Sequence, residues 1–330
     1  MPRTPEPVAE SSIDRAAMIA RIRWLRLVAG LSLLVGLIAY LTPNALIAQW
    51  KMVDVYWLVA AAAAILVSTL VGSFALFLLI SRDRSLHYRR FLGAYWMSWG
   101  VGLVVPGQIG DVATLTVLMQ RRGLHWPTSL GRALLDKLIS LAVVGGFAAW
   151  GLRDVLPALR LTPMSALAIA AGICIIALAA WLAFRILKRG NPDTVRPSDA
   201  LRTTVTEIAL SARQHPGRTA SNVILTVLKF GCIVIAYWCV FRALGQNQLE
   251  YLRALPLVAI SALVAYIPVS FNGLGTVEFA GIWLFGTAGV PEVAVLSAYL
   301  LLRVIVLTIA WLPVSLGLLI ARAPMQDPIS

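Results

Sequence analysis

The chain has 330 residues, 59% of them hydrophobic and 13% charged, with a mean hydropathy of +0.83 and a formal net charge of +13. So little charge among so many apolar residues excludes an ordinary soluble domain, whose apolar positions would fall in short periodic runs. The surplus of Lys and Arg reads as basic loops that meet anionic lipid, and not as a nucleic-acid surface, because no aromatic-basic interleaving or binding motif accompanies it.

Taken in chain order, residues 1–23 form a polar segment in which Glu6, Glu10 and Asp14 alternate with Arg3, Arg15, Arg21 and Arg23. No A-x-A site follows the first apolar block, so a cleaved secretory signal is not expected. Six blocks are long enough to cross roughly 30 Å of hydrocarbon as helices: about 24–42, 55–80, 133–151, 164–187, 219–243 and 294–320. Two further apolar stretches are interrupted. Residues 91–119 contain Pro106-Gly107 and Gly110-Asp111, and residues 254–290 contain Pro268 and Asn272-Gly273-Leu274-Gly275. Proline removes a helix donor and glycine loosens the backbone, and broken backbone at membrane depth is tolerated only inside protein or beside a water-filled cavity. Each stretch is either a kinked full span or a hairpin of two half-helices.

Charge separates these alternatives. If both stretches are hairpins that return to the face they entered, 20 Lys and Arg fall on the side of the N-terminus and five opposite: Lys51, Arg153, Arg160, Arg242 and Arg253. If both cross, the same residues split 14 against 11, with Lys137, Lys229 and Arg303 left out as lying within spans. The positive-inside rule favours hairpins and puts both termini in the cytoplasm. The chain then divides into a cytoplasmic segment 1–23, a membrane half 24–187, a basic cytoplasmic loop 188–218, a second membrane half 219–321 and a tail 322–330. The two hairpins enter from opposite faces, which is the pattern of an inverted-repeat transporter with its site where the repeats meet. The expected fold class is therefore an all-α polytopic membrane protein, with about six full spans and two re-entrant hairpins.

An ionisable group at the centre of a membrane helix costs roughly 2.5–3.5 kcal/mol on insertion scales, so each needs a reason. Asp111 follows Gly107 and Gly110 at the first break, and Glu278 follows Gly273 and Gly275 at the second. A half-helix N-terminus exposes unpaired N–H groups that suit a phosphate or carboxylate; the alternative is that each carboxylate caps its own helix. Arg132 and Asp136 stand one turn apart at the start of the third full span beside Lys137, Lys229 lies near mid-span, and Arg303 lies about ten residues into the last block. Either these groups form a structural ion-pair network, or Arg132, Lys229 and Arg303 line a polar cavity for an anionic headgroup. Cys174, Cys232 and Cys239 lie in apolar blocks and read as packing residues, while His87, His125 and His215 stand singly. No metal and no cofactor is expected.

Pro106-Gly107-Gln108-Ile109-Gly110-Asp111 with Arg132-Ala-Leu-Leu-Asp136 resembles the first signature of the flippase-like family, also known as the lysylphosphatidylglycerol synthase transmembrane region. Pro268-Val-Ser-Phe-Asn272-Gly273-Leu-Gly275-Thr-Val-Glu278, with Gly289 and Arg303, resembles its second and more specific signature. The likeness covers about residues 20–320. The first signature departs from the pattern, with Asp111 for the usual glutamate and Gly131 where an acidic residue normally precedes the arginine.

The resemblance implies a bacterial inner-membrane protein whose membrane domain moves a lipid between leaflets. Its best-known members add a soluble aminoacyltransferase; only nine residues follow position 321, so enzymatic synthesis of an aminoacyl lipid is not expected. The leading expectation is translocation of an anionic or modified envelope phospholipid or glycolipid through a polar interhelical cavity. The alternative is a non-transporting accessory subunit of a lipid-modifying or glycosyltransferase system. No G-x-x-x-x-G-K-[ST] stretch and no H-E-x-x-H stretch occurs.

Overall fold

The computed structural model describes residues 24–25, 27–81, 86–104, 110–158, 215–266 and 270–322, and every described element is helical. The chain is an all-α polytopic membrane protein. Four helices among the described residues are long and apolar enough to cross a membrane: α3 (Val55–Ile80), α6 (Trp126–Ala158, apolar over Trp126–Leu152), α7 (Pro216–Ala243) and α10 (Glu292–Arg322, apolar over Glu292–Pro313). These match the expected spans 55–80, 133–151, 219–243 and 294–320. The expected span 164–187, residues 188–214 of the expected loop and the segment 1–23 lie outside the described residues, as do Pro106, Gly107 and Pro268, while residues 216–218 of that loop form the first turn of α7.

The first expected span, 24–42, ends at a sharp corner. Helix α1 (Leu27–Tyr40) bends by 78° into a short α2 (Pro43–Lys51). Pro43 occupies the first turn of α2, and a residue before proline is pushed out of the helical region. Thr42 has ψ 123°, outside the helical region, at a φ of 60° that the proline does not explain. The corner falls at Thr42-Pro43-Asn44, where the expected block ends.

Helix α3 starts at Asp54, whose carboxylate accepts the N–H of Tyr56 at 2.9 Å. Its buried stripe runs Ala61, Ile65, Ser68, Gly72, Ala75 and Leu79, alternating three and four residues apart. Small residues on that stripe let α3 lie along α7 for most of its length. At one end Asp54 N–H donates to Ala243 O at 3.0 Å. At the other, Arg218 Nη1 reaches Leu78 O and Arg132 Nη1 reaches Ile80 O at 3.0 Å. The α3–α7 pair is thus an antiparallel pillar with one end marked by Ile80 and the opposite end by Ala243.

Both interrupted stretches fold as hairpins against this pillar. Helices α4 (Tyr88–Val104) and α5 (Gly110–Gln120) pack side by side, and the Arg122 guanidinium bonds Arg90 O, so the arms open at the Ile80 end. Phe91 and Met119, one on each arm, share a buried cluster with Leu76 and Ile80. Helices α8 (Tyr251–Val264) and α9 (Thr276–Gly286) open at the other end. There the Phe285 ring lies 4.7 Å from that of Phe241, and Leu249 and Val290 join the core beside Leu244. Pro256 of α8 packs directly on Gly151 of α6, where a methyl group would not fit. The two hairpins therefore point in opposite directions. Their tips meet: Asn272 Nδ2 donates to Leu103 O at 3.2 Å.

Candidate functional site

The second tip is built by backbone that only certain residues adopt. Asn272, Gly273 and Gly275 have φ of 49°, 70° and 77°, the left-handed region that glycine enters freely and asparagine more readily than most. A Cβ on Gly275 would lie 2.7 Å from Gly30 O and 2.9 Å from Leu33 Cβ, so α1 rests directly on this turn. The turn then launches α9. The Glu278 carboxylate reaches back to the Gly275 N–H at 2.7 Å, satisfying one of the orphan donors of the new helix. Ser270 Oγ and Thr276 Oγ1, 2.8 Å apart, tie the two sides of the turn together.

Glu278 is fully buried, and its other oxygen accepts from Arg303 Nη2 at 2.6 Å and Nε at 3.1 Å. Capping of its own helix and ion pairing, each a structural role that the sequence offered, coexist in one side chain. A buried carboxylate at this depth is sustained by such a set of charge-assisted bonds.

The first tip mirrors this with different chemistry. Asp111 stands in the first turn of α5, where Oδ1 accepts the Val112 N–H at 2.8 Å and Oδ2 pairs with Lys137 Nζ at 2.6 Å. The partner of Asp111 is therefore Lys137 of α6. Arg132 is buried at the start of α6, with Nη1 on Ile80 O, and lines neither cavity described below. Asp136 is buried too; its Oδ1 accepts from Asn222 Nδ2 at 2.9 Å. Lys229 Nζ donates to Ser140 Oγ at 3.1 Å, and its stem passes through a slot at Gly72, where a Cβ would stand 2.8 Å from Lys229 Cδ.

These groups surround one space. A cavity of about 610 Å³ is walled by Asp111, Lys137, Lys229, Asn272, Glu278 and Arg303, so both ion pairs face the same interior. Its size falls in the range of small-molecule sites. A smaller side cavity of about 90 Å³, behind the first hairpin, adds Asp136, Ser140 and Tyr266. Gly110 and Gly273, also expected at the site, serve as backbone at the tips. The sequence reading missed Tyr95, Ser140 and Asn222. A signal existed for two of them: Ser140 is one turn after Asp136, and Asn222 is two turns before Lys229, each pair on one helix face.

The profile of the lysylphosphatidylglycerol synthase TM region matches residues 24–317. The chain belongs to this family. No curated protein sequence matches it. The match to the lysylphosphatidylglycerol synthase TM region spans both hairpins and the whole cavity, and it makes the chain a membrane protein linked to lipid handling. The ion pairs Asp111–Lys137 and Glu278–Arg303 thus belong to that family's membrane region and not to a soluble domain attached to it.

Proposed function

We propose that the chain is a lipid translocator, in which an anionic or modified phospholipid or glycolipid headgroup passes through the polar cavity while its acyl chains stay in the bilayer. The observation that carries this reading is the meeting of two oppositely directed hairpin tips around a cavity holding two ion pairs. A polar headgroup crossing hydrocarbon pays heavily for lost hydration, and fixed charges at mid-depth replace part of that hydration. Opposed half-helix hairpins are also the architecture in which alternating access is achieved by tilting one repeat against the other. On this reading the two halves, 24–187 and 219–321, form an inverted repeat. The Ile80 end, which carries Arg89, Arg90, Arg121, Arg122 and Arg218, faces the cytoplasm of a bacterial inner membrane together with both termini. The protein acts without chemistry of its own and delivers lipid to or from a lipid-modifying enzyme.

The test is transbilayer movement of labelled lipid in vesicles containing the purified full chain. Glu278→Gln and Arg303→Ala should each lower the rate at least about tenfold, the loss of one charge-assisted interaction. Equal rates for both variants and the wild type, with equal protein in the vesicles, would sink the reading. Co-purification of a lipid-modifying enzyme with a wild-type chain that moves no lipid would favour the accessory role instead.

A further inference from the structure

Within the cavity the fixed charges are unevenly satisfied. Asp111 is closed by Lys137 and Glu278 by Arg303, both at 2.6 Å. Lys229 has no carboxylate within 4.0 Å among the described residues, and its one hydrogen-bond partner there is the Ser140 hydroxyl. Asp136 acts on it only at longer range, its own Oδ1 being taken by Asn222. An ammonium held at mid-span beside a neutral hydroxyl is costly unless an anion visits it. The fold nonetheless shapes a slot for it, with Gly72 of α3 giving way to the lysine stem and to Tyr95 Oη.

From this, and resting on the translocator reading of the same cavity, we infer that Lys229 is the seat of a lipid phosphoryl group. Lysine is a point-charge phosphate ligand with three donors, of which Ser140 uses one. Because Ser140 Oγ accepts from Lys229, its own O–H points elsewhere, and the Tyr95 hydroxyl stands on the same wall. Donors on α4, α6 and α7 thus converge on a small volume, which suits an oxyanion with several acceptor oxygens better than a planar carboxylate. One negative charge, that of a phosphodiester, neutralises Lys229 and leaves both ion pairs closed. Arg303, with Nε and Nη2 both bound to Glu278 Oε1, is not the headgroup ligand in this state. The anion belongs to a lipid because, beside Ser68, Thr69, Tyr237 and Tyr299, much of the remaining wall is apolar, with Leu27, Leu302, Val306 and Leu307 among it.

The experiment measures retention of two tracers by the full chain in nanodiscs of neutral lipid: phosphatidylglycerol, and a glucosyl-diacylglycerol with the same acyl chains and no phosphate. The wild type should prefer phosphatidylglycerol. Lys229→Met should lower the ratio of the two tracers at least about tenfold, and Lys229→Arg, which keeps the charge, should retain the preference. Lys229→Met removes a cation that no carboxylate closes and strands no charge, leaving only the Ser140 hydroxyl without its donor, so it is expected to fold, and monodisperse elution checks it. An unchanged ratio in Lys229→Met would overturn the inference. Displacement of the lipid by an equal concentration of inorganic phosphate would assign the seat to a soluble anion and overturn it as well. If the wild type moves no lipid in vesicles but its phosphatidylglycerol preference depends on Lys229, the phosphate seat stands and the translocator reading falls.

Discussion

Glu278 and Arg303 are unequal partners. Both side chains border the cavity, but the Glu278 side chain is 1% exposed and the Arg303 side chain 28%. Removing the arginine strands a buried anion with one backbone N–H, whereas neutralising the glutamate leaves a cation that water in the cavity can reach. Breaking a buried pair from the side that strands the charge costs on the order of 3–5 kcal/mol. The expected order of thermal stability in detergent is therefore wild type, then Glu278→Gln, then Arg303→Met. Adding Glu278→Gln to Arg303→Met should restore part of the loss, because the second change neutralises the stranded anion. Additive losses in the double variant would mean that the pair is not coupled.

At the level of elements, the hairpins were legible because two independent signals agreed. Helix breakers at Gly110 and at Asn272-Gly273-Leu274-Gly275 marked where backbone cannot stay helical, and the distribution of Lys and Arg marked which faces the arms return to. The close pairing of Arg90 with Arg122, and of Phe241 with Phe285, sets the two open ends at opposite ends of the α3–α7 pillar. What was hidden depends on tertiary packing. The 78° angle at which α2 leaves α1 is not given by hydropathy, and the choice of Lys137 over Arg132 for Asp111 depends on which way α6 turns as it leaves the Ile80 end. Residues 132, 136 and 137 all fall within about one and a half turns, so spacing alone left the pairing open. Orientation in the membrane is tested with single cysteines at Arg121 and Gln248, both exposed, in a chain otherwise free of cysteine. An impermeant thiol reagent added outside intact cells should label position 248 and spare 121. Labelling of both from one side would place the two hairpin openings on one face of the membrane.

For the molecule as a whole, the contact between hairpin tips joins the two interrupted elements of opposite halves of the chain. Leu103 precedes the first break and Asn272 lies in the second, and their hydrogen bond crosses 169 positions of sequence. Leu103 and Asn272 both border the cavity, so a tip that moves changes its shape. Among the described residues no hairpin arm reaches the roughly 20 residues typical of a crossing helix: α4 and α5 have 17 and 11 residues, α8 and α9 have 14 and 11. A headgroup that enters from one face must therefore pass the junction of the tips to leave by the other. If translocation works in this way, the tips part in every cycle. Leu103→Cys combined with Asn272→Cys would tie them covalently once oxidised. Lipid movement in vesicles should then stop under oxidising conditions and recover when a reductant cleaves the bond, while each single-cysteine variant should show no dependence on redox state. Lipid movement that continues in the fully cross-linked chain would mean that the headgroup travels along a path which leaves the tips together, such as the outer surface of α10, and the central cavity would then not be the route.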